Sequence, residues 1–123
     1  MILLTGATGT TGQETVRQLL EKGVPFRVMS RDIARAKSVL SPDLDYVEGD
    51  FAAPETLAVA FDGIERLSLL CAFAEKMVSL ELNAVAAAKR AGIRHIVKMS
   101  AIGSAPDAPT KIRRWHGEIE QRI

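Results

Sequence analysis

Thr5-Gly6-Ala7-Thr8-Gly9-Thr10-Thr11-Gly12 follows directly on a four-residue apolar start, Met1-Ile2-Leu3-Leu4. A short strand ending in a G-x-x-G-x-x-G turn that opens a helix is how a dinucleotide phosphate site begins. The chemistry asks for glycine at three places. One reverses the chain at positive φ, one lets the backbone approach a pyrophosphate, and one lets helix and strand pack closely. Gly6, Gly9 and Gly12 fill these roles. The helix beyond them aims unpaired N–H groups and its positive dipole end at the phosphates. A mononucleotide P-loop is excluded, because Gln13 stands where that motif needs lysine.

The context beyond Gly12 supports this reading. Val16, Leu19 and Leu20 form one apolar helical face, with Glu14, Arg17, Gln18 and Glu21 elsewhere, and Gly23 stands where the helix stops. The next apolar run, Phe26 to Met29, supplies a second strand. Further strands are predicted near Leu44–Val47, Arg66–Cys71 and His95–Met99. Helices are expected over Gly12–Lys22, Asp32–Leu40, Pro54–Phe61 and Glu75–Ala91, with helical spacing again from Lys111 to Ile123. Strands alternating with helices make an α/β fold with a parallel sheet. In the fourth helix Val78, Leu82 and Val85 are predicted to face the sheet, with Met77, Ala84 and Ala88 as an apolar flank for a neighbouring element to cover in ordinary core packing, or for a second subunit. Ile112, Trp115, Ile119 and Ile123 carry an apolar stripe to the last residue, so the chain reads as one domain over 1–123, cut in mid-architecture.

Composition narrows the partners. With 123 residues, 47% hydrophobic and 25% charged, the chain is expected to be a soluble, cytoplasmic globular domain. A net charge of +1 gives no reason to expect nucleic acid or an anionic membrane, and the run Lys111, Arg113, Arg114 reads as a solvated helix face. His95 and His116 have no partner at metal-ligand spacing, so no metal site is expected. The one cysteine, Cys71, lies in the apolar run Leu67 to Ala74 and is expected to be a buried, inert thiol.

These residues together resemble the atypical short-chain dehydrogenase/reductase group, and within it the NmrA-like NAD(P)-binding proteins. The resemblance rests on Thr5 to Gly12, Ser30-Arg31-Asp32, Gly49-Asp50-Phe51 and Asn83 with Ala86-Ala87-Ala88. It continues through Ala91-Gly92-Ile93 and Ile96-Val97-Lys98-Met99-Ser100 to His116–Glu120. It implies a Rossmann-type, doubly wound sheet of strand order 3-2-1-4-5. In such proteins further strands and a small C-terminal substrate lobe follow, beyond what this sequence contains. The fifth strand would then leave Ile96 and Val97 on an open edge, a second place for a homo-oligomer to form.

The same resemblance assigns the sites. Gly6, Ala7, Thr8, Gly9, Thr10, Thr11 and Gly12 hold the dinucleotide, and Asp50 and Phe51 lie beside its adenine. At the end of the second strand, NAD-preferring domains carry an acid for the ribose hydroxyls. Here Ser30 and Arg31 stand there, a hydroxyl and a guanidinium suited to a 2′-phosphate, and Arg35 and Lys37 extend the basic side. NADP(H) is therefore the expected cofactor. NAD(H) is the alternative if Asp32 reaches the ribose rather than capping the second helix.

For catalysis, the main dehydrogenase branch uses a tyrosine with a lysine four residues on. The one tyrosine, Tyr46, sits in the third strand, and His116 and Glu120 occupy the matching place. Their spacing allows a hydrogen bond that raises the histidine's pKa. Ser100 matches the serine that accompanies the tyrosine. Two functions follow: an NADPH-dependent oxidoreductase acting on a small electrophile such as a quinone, or a non-catalytic redox sensor of the NmrA type. A nucleotide-sugar epimerase or reductase shares the fold, but the missing tyrosine counts against it.

Overall fold

The computed structural model describes residues 1–123. Five strands, β1 (Ile2–Leu4), β2 (Phe26–Ser30), β3 (Tyr46–Glu48), β4 (Arg66–Leu69) and β5 (His95–Lys98), alternate with five helices. These are α1 (Thr10–Glu21), α2 (Ile33–Val39), α3 (Pro54–Ala60), α4 (Met77–Arg90) and α5 (Lys111–Glu120). The strands form one parallel sheet in the order β3-β2-β1-β4-β5. The chain runs outward from β1 to β3, then crosses back to place β4 on the other side of β1. A crevice opens at the carboxyl ends of the strands where the order reverses.

Both faces of the sheet are covered, as a parallel sheet requires. Leu3 and Leu4 are neighbours in β1 and point to opposite faces, yet both are buried. Leu3 joins Leu57, Phe61, Leu67, Leu69, Ala84 and Val85 in the larger core, which includes residues of α3 and α4. Leu4 joins Val16, Phe26 and Val28 in the smaller one, which includes α1.

Two sequence expectations change. The buried residues of α4 are Met77, Glu81, Ala84, Val85, Ala87 and Ala88, whereas Val78 and Leu82 are only half-buried. The sheet-facing side is thus the expected flank, turned about the helix axis, and it carries a carboxylate in its middle. Strand β4 ends at Leu69, so Cys71 lies past the strand, half-buried rather than in the core. Strand β5 is an edge, with Val97 71% exposed. No helix is long and apolar enough to cross a membrane.

The turn from β1 to α1 is the tightest part of the fold. Gly6 adopts φ +64°, and a Cβ there would lie 2.6 Å from the Leu70 carbonyl oxygen. A Cβ on Gly12 would lie 2.2 Å from the Gly6 oxygen and 2.6 Å from Ala7 Cα. Both obstacles are backbone, so neither yields cheaply. Gly12→Ala is expected to cost on the order of 3 kcal/mol of stability, at the upper end for overpacking. Urea unfolding of the variant beside the parent checks this, and a loss under about 0.5 kcal/mol would contradict the close packing.

Candidate nucleotide groove and the charged cluster beside it

Thr5 ties the two central strands together where the crevice opens. Its N–H donates to Ser68 O at 3.1 Å, its hydroxyl donates to Leu70 O at 3.0 Å, and it accepts from Leu70 N at 3.0 Å. This fixes the end of β1 against the start of the β4–α4 loop. A cavity of about 640 Å³ lies over that junction.

Gly6, Ala7, Thr8, Gly9, Thr10 and Thr11 line one wall, and Gly12 lies buried beneath them. Gly9 is the N-cap of α1, and no side chain caps the helix. The amides of Thr10, Thr11 and Gly12 have no acceptor within the protein, so three N–H donors of the first turn remain for a ligand. An added Cβ on Gly9 would meet nothing closer than 3.5 Å. The protein's own packing does not demand that glycine, and the space in front of it belongs to the cavity.

Ser30, Arg31, Asp32 and Arg35 line the β2 side, and Asp50 and Phe51 the β3 side. Asp32 Oδ1 accepts from Arg35 N at 3.0 Å, so this carboxylate caps α2. Ser30 Oγ donates to Asp32 O and accepts from Asp32 N, a local turn that occupies the hydroxyl. Arg31 is exposed and has no ion-pair partner. Lys37 lies outside the cavity, with its ammonium 5.9 Å from the Tyr46 ring centroid. Asp50 Oδ1 accepts from Ala52 N, and Asn83 Nδ2 donates to Phe51 O at 2.8 Å, linking α4 to the loop after β3.

The three expected catalytic residues stand apart from the cavity lining, and their pairing differs from expectation. Glu120 accepts a hydrogen bond from Ser100 Oγ, not from His116. His116 is buried, with Nδ1 2.7 Å from Lys98 Nζ. That ammonium also lies 2.9 Å from Glu81 Oε2, and the two side chains are 5% and 1% exposed. Burial and the Lys98 charge hold the His116 pKa below its ordinary value, against a smaller upward pull from Glu120. Burial pushes Glu81 up, with Lys98 opposing it. Burial also raises the Cys71 thiol, which lines the cavity and feels the charges of Glu81 and Lys98.

Sequence reasoning missed Glu81 and Lys98. The one signal for them was a charged residue at a position where each element presents its core side: Glu81 one turn from Met77 and Val85, and Lys98 in register with Leu69. No group of histidine, cysteine and carboxylate side chains is arranged to hold a metal ion.

A parallel sheet in this order, with a glycine-lined cavity over its switch point and free helix amides, defines a dinucleotide-binding Rossmann domain. A family model described as NAD(P)H-binding matches residues 6–123. The chain belongs to that family, within the NmrA-like, atypical short-chain dehydrogenase/reductase superfamily its motifs resemble. It is 37% identical over 123 residues to an NAD(P)H azoreductase of Xenophilus azovorans, an alignment covering all of this chain and 43% of that protein. Its fold is similar to that of Citrobacter sp. triphenylmethane reductase complexed with NADP(H), with a TM-score of 0.88 at 26% identity over 99% of this chain and 44% of that one. It is also similar to an NADPH-dependent quinone oxidoreductase of Escherichia coli complexed with NADPH, with a TM-score of 0.87 at 28% identity over 98% and 44%. The chain thus spans less than half the length of these relatives.

The depressed His116 pKa sets a pH dependence of stability. Its folded value lies below the ordinary 6.5, so the unfolded chain binds more protons through that window. His116 therefore weakens the fold as pH falls through about 6.5 and is neutral in effect above it. Glu81 has the opposite sign, so the comparison must be a difference. The unfolding free energy of the parent minus that of His116→Gln is expected to fall between pH 7.5 and pH 5.5. A difference that rises on acidification would mean the histidine is stabilised in its charged form.

Proposed function

We propose that the cavity takes NADP(H) and that the protein is an NADPH-dependent oxidoreductase acting on a small, electron-poor acceptor such as a quinone. The observation that carries the cofactor choice is the division of labour after β2. Asp32 turns its carboxylate into the α2 cap, and Arg31 and Arg35 line the same end of the cavity. A carboxylate there would favour free ribose hydroxyls. Two cations beside an acid already bonded to the α2 backbone favour a 2′-phosphate. NAD(H) remains the alternative that this arrangement disfavours.

The rest of the nucleotide follows from the order of the residues that line the cavity. Pyrophosphate lies over Gly6–Gly12 on the amides of Thr10, Thr11 and Gly12, with Ala7, Thr8 and Gly9 as the wall it approaches. Adenine lies beside Asp50 and Phe51. The nicotinamide then extends past Leu70 and Cys71, toward the side of the sheet where β5 and α5 stand. Bound NADPH supplies a hydride, and the acceptor also takes up a proton. A quinone that gains both becomes a hydroquinone and leaves NADP⁺, with His116 or a water serving the oxygen. Azo and quinone groups are conjugated acceptors, and the relatives named for them support this class over a ketone or a sugar nucleotide.

The second reading is a redox sensor that binds the dinucleotide without turnover. In its favour, Ser100 and Glu120 bond each other and His116 is buried. Reduction of a benzoquinone panel by NADPH separates the two readings.

The cofactor claim is checked by calorimetric titration of the chain with NADPH and NADH, repeated on Arg31→Ala. NADPH is expected to bind more tightly than NADH in the parent. The substitution should weaken NADPH by at least about tenfold, the worth of one charge-assisted hydrogen bond, and leave NADH nearly unchanged. Equal affinities in the parent would overturn the preference.

A further inference from the structure

Lys98 has a role that the proposed chemistry above does not use. It projects from β5, an edge strand, yet its side chain is 5% exposed, and a lysine is rarely held that way without partners. Glu81 reaches it from the core-facing side of α4, with Nζ and Oε2 2.9 Å apart. Neither carboxylate oxygen of Glu81 has a hydrogen-bond partner elsewhere, so Lys98 is the sole charge compensating it. Nζ also donates to Met99 O at 2.9 Å. The remaining direction ends on His116 Nδ1 at 2.7 Å.

The chemistry of that last contact decides the state of the imidazole. An ammonium carries three N–H donors and no acceptor. At 2.7 Å the Nδ1 atom must accept, so it bears no proton, and the ring's one proton sits on Nε2. An imidazolium would set an N–H against the ammonium. Lys98 therefore selects both the charge and the tautomer of His116. Nε2 makes no hydrogen bond within the protein, and His116 as a residue is 8% exposed.

We infer that Lys98, anchored by Glu81, is a positioning residue that presents His116 as a neutral imidazole with its proton on Nε2, a fixed hydrogen-bond donor for the oxygen of a bound acceptor. This rests on the reductase reading for its purpose, but the positioning stands on the geometry alone. It also refines the choice between His116 and water. A neutral imidazole hydrogen-bonds an oxygen as charge builds there, and water then delivers the proton. The charged groups around the ring come from three elements: Lys98 on β5, Glu120 on α5 itself, and Glu81 on α4 beyond Lys98. Only Lys98 bonds the ring. The sequence hides the arrangement, because Glu81, Lys98 and His116 are far apart along the chain and meet only when α4 packs against α5 and β4, with β5 paired to β4.

The test is nitrogen-15 NMR of the uniformly labelled chain, reading the side-chain nitrogens of its two histidines, with His116→Gln to assign them. At pH 7.5 the His116 ring is expected to show a protonated Nε2 and an unprotonated Nδ1. His95 is exposed on β5 and supplies the second pair of ring signals. In Lys98→Met the tautomer preference should be lost and the His116 titration midpoint should rise, because a cation has been removed. Lys98→Arg should restore the preference. If Lys98→Met does not fold, the parent spectrum still decides. An Nδ1-protonated ring or an imidazolium at pH 7.5 overturns the inference. NADPH titration of the same sample keeps the two claims apart: a correct tautomer without nucleotide binding would sink the reductase reading and leave the positioning intact, and the reverse pattern would do the opposite.

Discussion

The contact of the α1 backbone with the end of β1 is the constraint on which the rest of the structure depends. Gly12 sits so close to Gly6 and Ala7 that no side chain fits between them. That proximity brings the first turn of α1 over the carboxyl ends of the strands, where its unpaired amides face the cavity. Thr5 completes the arrangement by tying β1 to the residues after β4 through three hydrogen bonds, so the floor of the cavity spans the switch point as one rigid piece. A looser turn would leave the same residues in the chain without a wall of free amides facing the cavity.

Much of this was legible in the sequence, for identifiable reasons. The strand-helix alternation and the glycine loop are local patterns, and the observed elements fall on the expected ones with their ends shifted by a few residues. Asp32 could be read as a helix cap because capping involves only its own neighbours. Positions whose surroundings come from elsewhere in the fold were not legible. The α4 face was misjudged because hydropathy points a helix by its large apolar residues. Here small alanines and one carboxylate face the sheet, and Val78 and Leu82 turn partly away. His116 was paired with Glu120 because both lie on one helix, whereas the residue that meets the ring comes from β5.

The difference matters for chemistry. A histidine beside a glutamate would be a charged acid near neutral pH, while one held by a buried ammonium is a neutral donor. The two pictures predict different protonation of the same side chain from the same sequence, and the sheet register that sets Lys98 opposite Leu69 separates them. The cavity itself has a similar division. Its glycine-lined wall is built from backbone, which sequence motifs describe well. The cationic end also brings Arg35 from α2 to the same wall as Arg31, and that meeting is set by how α2 packs rather than by a motif.

The central claim is that one dinucleotide lies across the strand ends, from Arg31 through the α1 amides to Cys71. Backbone amide shifts of the nitrogen-15-labelled chain, followed during titration with NADP⁺, test this directly. A continuous set of perturbed amides is expected at residues 6–12, 30–35, 50–51 and 70–72, with the largest changes at Thr10, Thr11 and Gly12. Perturbations confined to the exposed faces of α3 or α5, or none at saturating NADP⁺, would contradict it.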